Sequence, residues 1–296
     1  RFKNVLSYIS SSIEYELNNL LNQKKFFQNL FNLRKPKKII FNNSRGINEF
    51  ISEYSKKLNI PCYMISHGTL TENENKYSNI YNNIIAEEVT SKYATNCVQS
   101  KIALNYFRKN YKKEEYKITG NLIFSDTKPK SKKYFMYAVT TRDFMNMQFY
   151  GIELFNEFYD NLRDLNNIAK ELKIIICVKP HPQIQNQTKN LKKEFSHLYF
   201  SNKSIDALLE NCIATISFSS TVIEDSLNSS VPVILYDKSK RYNHCENFNL
   251  KINSNLALMY ARNLFDLKQK IKSCYNLKSS FSDFIYKKKE SLDFLY

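Results

Sequence analysis

The chain has 296 residues, 43% hydrophobic and 24% charged, a balance that excludes wholesale disorder and a length better suited to two α/β lobes than to one core. Its formal net charge is +16, which would attract a nucleotide phosphate, an acidic glycan or lipid headgroups; the basic residues are spread along the chain, however, and Lys is abundant together with Asn, Ile, Phe and Tyr, which points to compositional bias and argues against a nucleic-acid arm. The six cysteines form no C-x-x-C pair and no apolar run approaches the ~20 residues that span a bilayer, so the sequence carries no zinc knuckle, no redox motif and no membrane-spanning helix, and a reducing cytoplasm fits it.

Phe2, Val5, Leu6, Ile9, Ile13, Leu17, Leu20 and Leu21 recur at helical spacing and, continued by Phe26, Phe27, Leu30 and Phe31, predict a helix over 1–33 that ends before Pro36. The chain opens on Arg1 rather than Met, so it is read as a processed piece with an upstream part of the first lobe missing. Strands are predicted over 38–42, 61–65, 93–98 and 116–119, with helices over 47–58, 82–91 and 101–110 between them. Such a βαβ series predicts a parallel sheet. Gly120-Asn121 closes it, and the lysine-rich run 125–133 reads as a linker between an acceptor-side lobe over 1–124 and a donor lobe over 134–296. In the second lobe the strands fall over 134–139, 173–178, 198–200, 213–217 and 231–236, and the helices over 154–172, 204–211, 221–228, 264–274 and 282–294.

Ligands of parallel α/β sheets bind beyond the carboxyl ends of the strands, and polar clusters stand at four such ends. In Lys179-Pro180-His181-Pro182 the two prolines fix the backbone around an imidazole, and Lys179 adds a positive charge for a phosphate. Ser217, Ser219, Ser220 and Thr221 surround a helix start, where hydroxyls and backbone N–H groups can hold an anion; one N-cap needs only one of them. Glu224 is one turn further on and suits a ribose, while Asp225 is expected on the exposed side of the helix. Ser66-His67-Gly68-Thr69 offers His67 as a general base and Gly68 as a sharp turn or close approach to a ligand. Glu72, Glu74, Glu87 and Glu88 remain alternative bases. Thr141 and Arg142 are candidates to close over a phosphate or an acidic substrate, and Asp237 is a weaker candidate for a base or sugar contact. There is no G-x-G-x-x-G, no P-loop and no G-x-S-x-G, and no Asp-x-Asp pair at a strand end that would require a metal.

The order His67-Gly68, His181-Pro182, Ser219-Ser220 resembles that of GT-B glycosyltransferases, and more narrowly their capsule and teichoic-acid branch: bacterial sialyltransferases, Kdo transferases and CDP-glycerol glycerophosphotransferases. Thr215–Asp237, with Glu224 and Val231-Pro232-Val233-Ile234, is the most similar stretch. The resemblance implies two Rossmann-like lobes with parallel sheets and an active site in the inter-lobe cleft. It implies that His181 and Ser219-Ser220 hold the donor phosphate, that Glu224 contacts the ribose, and that His67, with Gly68 and Thr69, is the base or acceptor side. It implies a CMP- or CDP-activated sugar donor, a glycan or lipid-linked acceptor in surface polysaccharide synthesis, and no cofactor or metal. The acidic-pair-plus-glycine motif of the sialyltransferases is absent. A CDP-alditol phosphotransferase, a two-lobe sugar-nucleotide epimerase and an inactive GT-B scaffold stay open as alternatives. The amphipathic helices over 1–33 and 278–296 are read either as packing on the lobes, the second returning to the first lobe, or as lying on the inner face of the cytoplasmic membrane.

Overall fold

The computed structural model describes residues 2–65, 72–73, 90–110, 115–120, 130–138, 151–181, 184, 188–217, 220–238, 242–243 and 258–276. In chain order the elements are α1 (Phe2–Leu33), β1 (Ile39–Phe41), α2 (Ile47–Lys57), β2 (Cys62–Ile65), β3 (Glu72–Asn73), β4 (Thr95–Val98), α3 (Lys101–Asn110), β5 (Tyr116–Ile118) and β6 (Tyr134–Ala138). They continue with α4 (Gly151–Leu172), β7 (Ile176–Lys179), α5 (Thr188–Glu194), β8 (Leu198–Phe200), α6 (Ile205–Leu209), β9 (Cys212–Ser217), α7 (Val222–Asn228), β10 (Val233–Tyr236), β11 (Tyr242–Asn243), β12 (Leu258–Ala261) and α8 (Leu264–Asn276).

The chain divides into two lobes, one made of Arg1–His67, Asn79–Gln99 and Ala103–Thr119, the other of Gly68–Ser78, Ser100–Ile102 and Gly120–Tyr296. In the first, the strands lie in the order β1-β2-β4-β5, every pair parallel. Phe31 of α1 and Ile51 of α2 are buried there with Ile60, and Phe31 stacks on Tyr54. Gly46 opens α2 at φ 54°, ψ −119°, a conformation that suits a residue without Cβ. Asn96, wholly buried on β4, ties down the chain before it: its Nδ2 donates to Ser91 O (2.9 Å) and its Oδ1 accepts from Ser91 N (2.8 Å).

The second lobe is built on a six-stranded sheet ordered β12-β10-β9-β6-β7-β8, every pair parallel. Its middle strands are buried on both faces, which is why they read as unbroken apolar runs; all six residues of β9 are inaccessible. Alternation sorts the side chains. Phe135 and Tyr137 point to one face, with Phe158, Leu162 and Leu165 of α4 and Leu267 and Ile271 of α8. Met136 and Ala138 point to the other, with Leu208 and Leu209 of α6 and Val222 of α7. Helices therefore cover both faces, the doubly wound arrangement expected from the sequence. Cys177 and Cys212 lie in this core, where burial pushes their thiols up to about 11 and about 12, so they act as small apolar side chains.

Four elements were not expected. In α5 only Leu191 is apolar, so no periodicity marks it. The short run at β12 suits helix and strand equally. Glu72–Asn73 pairs antiparallel with Tyr242–Asn243, a ladder too short to leave a pattern. The helices expected over 82–91 and 282–294 fall almost wholly or wholly outside the described residues.

Candidate functional site

Counting its own strands in chain order, the second sheet runs 3-2-1-4-5-6, and the order reverses between β6 and β9. In open α/β sheets a crevice forms at such a reversal, because the connections from the two strands leave toward opposite faces. The sequence places its hydroxyl-rich cluster there, at the end of β9, and its Lys-Pro-His-Pro cluster at the end of β7, on the other side of β6. The register aligns them: Lys179 pairs with Ala138, Ser217 donates to the Ala138 carbonyl, and Ser217 pairs with Leu235. With strands ~4.8 Å apart, the Lys179 and Ser217 backbones stand about 10 Å apart along one sheet edge.

The hydroxyls of the cluster divide by role. Ser217 is fully buried and its Oγ donates to Ala138 O at 3.2 Å, so its proton serves the junction of the two strands and not a phosphate. Ser220 Oγ accepts from Val222 N at 3.3 Å and so caps the helix. Thr221, exposed at the N-cap position, makes no side-chain cap bond. Ser219 lies outside the described residues, as do His67, Gly68, Thr69, Thr141 and Arg142.

The helix start is less favourable to an anion than the sequence suggests. α7 has only seven residues, and its first turn holds two carboxyl groups, Glu224 and Asp225, whose ionisation opposes a phosphate at that end. Positive charge at the edge comes instead from Lys179. Its ammonium is half-buried, reaches Pro180 O at 3.4 Å, and has its pKa lowered by that burial. His181 follows, partly exposed, its carbonyl accepting from Ile184 N at 3.0 Å and so turning the chain after β7.

Glu224 is wholly inaccessible, and its Oε1 accepts from Ser100 Oγ. Ser100 belongs to the short segment of the first half of the chain that clusters with the second lobe. In this state, therefore, Glu224 does not face solvent as the ribose reading requires. Asp225 is also not the exposed residue expected; it is half-buried, and its carboxyl is pushed up to about 7 by burial, then by Glu224 and Asp206. Asp237 is buried and its Oδ2 accepts from Arg262 at 3.5 Å, a structural pairing at the end of β10.

Sequence reasoning missed a second polar group beside the edge. Asp164 Oδ2, on α4, accepts from Tyr236 Oη at 2.7 Å and Lys238 Nζ at 2.6 Å. The Tyr236 hydroxyl titrates far above its ordinary range, because it is buried and donates to a carboxylate. One turn before Asp164, Asn161 Nδ2 donates to Tyr137 Oη at 3.2 Å. The signal was a Tyr-Asp-Lys run closing an apolar strand, with an Asn-x-x-Asp pair one turn apart on a helix; which of these would meet depends on the sheet order. Among the described residues no three His, Cys, Asp or Glu side chains gather as metal ligands, and no helix is long and apolar enough to cross a membrane.

No protein-family model matches the chain, and no curated protein matches it by sequence. Solved structures match in fold. The pneumococcal O-GlcNAc transferase GtfA, solved with UDP and GlcNAc, aligns with 92% of this chain at a TM-score of 0.56 and 11% identity. This chain spans 56% of that transferase's length. The UDP-GlcNAc 2-epimerase of Methanocaldococcus jannaschii, solved with UDP-GlcNAc and UDP, aligns with 87% of this chain and 74% of its own at a TM-score of 0.53 and 13% identity. The UDP-GlcNAc 2-epimerase of Neisseria meningitidis, bound to UDP-GlcNAc, aligns with 93% and 76% at a TM-score of 0.53 and 10% identity. At such identities the likeness is one of fold: the two Rossmann-like lobes of GT-B glycosyltransferases and of the sugar-nucleotide epimerases that share their architecture.

Proposed function

We propose that the chain is the nucleotide-sugar-binding part of a glycosyltransferase, with the donor's phosphate at the sheet edge between Lys179 and the start of α7. The observation that carries this reading is the alignment of Lys179, Ala138 and Ser217 across the strand reversal, with His181 and Thr221 just beyond. Lys179 supplies charge, His181 donates to a phosphate oxygen, and Thr221 with Ser219 and Ser220 completes the anion site. Thr141 and Arg142, in the segment after β6, are assigned to close over it. The transferase and epimerases of like fold, solved with UDP or UDP-GlcNAc, support a sugar nucleotide as ligand.

In the reaction the acceptor hydroxyl gives its proton to His67 and attacks the sugar's anomeric carbon. The bond from that carbon to the phosphate oxygen breaks, and the nucleotide leaves with the electron pair. His181 and Lys179 offset the charge that develops on it. The finer proposals, a cytidine-activated donor and an acceptor in surface polysaccharide or teichoic-acid synthesis, rest on the motif resemblance. Ser217 and Glu224 are assigned supporting roles, Ser217 joining the strands and Glu224 reaching a ribose only after Ser100 moves away.

Thermal-shift titration with CMP, CDP, UMP, UDP and GDP tests the ligand class. A nucleotide held at about 100 times its dissociation constant adds roughly 2.7 kcal/mol of stability. Stabilisation by CMP or CDP supports the cytidine reading, stabilisation by UDP alone overturns it, and no response to any of the five overturns the nucleotide site. Product analysis separates transfer from epimerisation, because an epimerase converts its sugar nucleotide with no acceptor present.

A further inference from the structure

α1 is much longer than the helix it packs on. Thirty-two residues make about 48 Å of helix, whereas the eleven of α2 make about 16 Å. Phe27 and Phe31, at the C-terminal end of α1, use its apolar stripe against α2. The same stripe continues toward the N-terminus through Leu20, Leu17, Ile13, Ile9 and Leu6. These five side chains keep 37–58% of their surface exposed, and Leu21 beside them 53%. A contiguous apolar face of that kind on a folded chain marks an interaction surface.

The spacing of the stripe says what covers it. Measured from Ile13, Leu6 and Leu20 stand seven residues away on either side, and Ile9 and Leu17 four. At 100° per residue all five lie within about 80° of arc, along about 21 Å of helix. The pattern reads the same from either end. A second copy turned about a two-fold axis through Ile13 therefore sets Leu6 against Leu20, Ile9 against Leu17 and Ile13 against Ile13. Within the stripe, between positions 6 and 20, the charges agree: Glu14 meets Ser12 and Glu16 meets Ser10, so no like charges face each other there. We propose that α1 is a homodimerisation helix, pairing antiparallel with α1 of a second copy through this self-complementary stripe. An isologous contact requires such a surface. The exposed parts of the six side chains amount to on the order of 500 Å² per copy, so the pair reaches the ~1,000 Å² floor of a specific interface. A lipid surface would be served by any apolar stripe and gives no reason for symmetry about one residue.

The test uses the full chain. Sedimentation velocity at micromolar concentration is expected to give a dimer, and Ile13→Glu, which sets two carboxylates against each other on the axis, a monomer with unchanged circular dichroism. Mild oxidation of the Ile13→Cys variant is expected to join two chains. Leu6→Cys and Leu20→Cys are expected to cross-link when mixed more readily than either alone, and Ser11→Cys, on the opposite side of the helix, not to cross-link. The unsubstituted chain, whose described cysteines are all buried, is the background control. A monomeric unsubstituted chain overturns the proposal, as does cross-linking at Ser11→Cys equal to that at Ile13→Cys. So does a monomer that sediments with anionic vesicles and loses that binding with Ile13→Glu, which would assign the stripe to lipid.

Discussion

The Ser217 hydroxyl donates to the carbonyl of Ala138 at 3.2 Å, joining β9 to β6 where the strand order of the second lobe reverses. The crevice of a doubly wound sheet opens at this pair, so the bond sets the spacing of the edge on which the proposed phosphate site is built. Ser217→Ala leaves the Ala138 carbonyl buried without this donor. A loss of about 1 kcal/mol is expected, seen as a fall of roughly 2–4 °C in thermal midpoint with the same circular dichroism spectrum. If Ser217 instead held a phosphate directly, the substitution would abolish nucleotide-induced stabilisation while barely moving the midpoint.

His181 and Lys179 separate by their effects on turnover and binding. His181→Ala is expected to lower transfer roughly 100-fold or more, the range for loss of a proton-donating group, with the fold unchanged. Lys179→Met is expected to weaken nucleotide binding and to make what remains less sensitive to salt. Initial rates against donor concentration at two ionic strengths check both. Near-normal turnover in the His181→Ala variant removes that residue from the chemistry.

Asp225 gives the second lobe a pH dependence of its own. Its carboxyl shifts from an ordinary 3.8 to about 7 on folding, so the folded state holds the proton that the unfolded state has already released. Its favourable contribution is complete below pH ~4 and is lost as the pH rises through about 7, on the order of 4 kcal/mol in all. Asp225→Asn is expected to raise the midpoint at pH 8 and to leave it nearly unchanged at pH 4. Parallel melting curves for the two proteins across that range show whether the gap opens in the stated window.

The Asp164 acceptor is shared by Tyr236 and Lys238, so substitutions there should not add. Asp164→Ala leaves a buried phenol and an ammonium without this acceptor and is expected to cost about 1–3 kcal/mol. Tyr236→Phe removes only the hydroxyl and should cost less. The double variant is expected to lie closer to Asp164→Ala than to the sum of the two, measured by urea unfolding. Simple additivity would mean the contact contributes nothing to stability.

Much of the second lobe was legible because its strands are buried on both faces and end in polar clusters. Ile176–Lys179 and Cys212–Ser217 announce themselves as apolar runs closed by Lys-Pro-His and by hydroxyls. Division of labour within a cluster was not legible. Ser217, Ser220 and Thr221 are alike as a string, yet one joins two strands, one caps a helix and one is exposed, and the partner that sets Ser217 apart, Ala138, lies far back in the chain. The burial of Glu224 depends likewise on Ser100, far back in the chain. Asp225 looked exposed because charge on a short helix usually is; burial first, then Glu224 and Asp206, set its surroundings apart.

The ladder between Glu72–Asn73 and Tyr242–Asn243 has a consequence for how the polypeptide is made. A ribosome releases residue 72 long before residue 243, so this early stretch must wait for its partner strand while most of the second sheet is still being synthesised. The short stretch that clusters with the second lobe therefore cannot find its pairing until that lobe is made. Slow translation downstream prolongs the time it spends unfinished and open to chaperones or proteases.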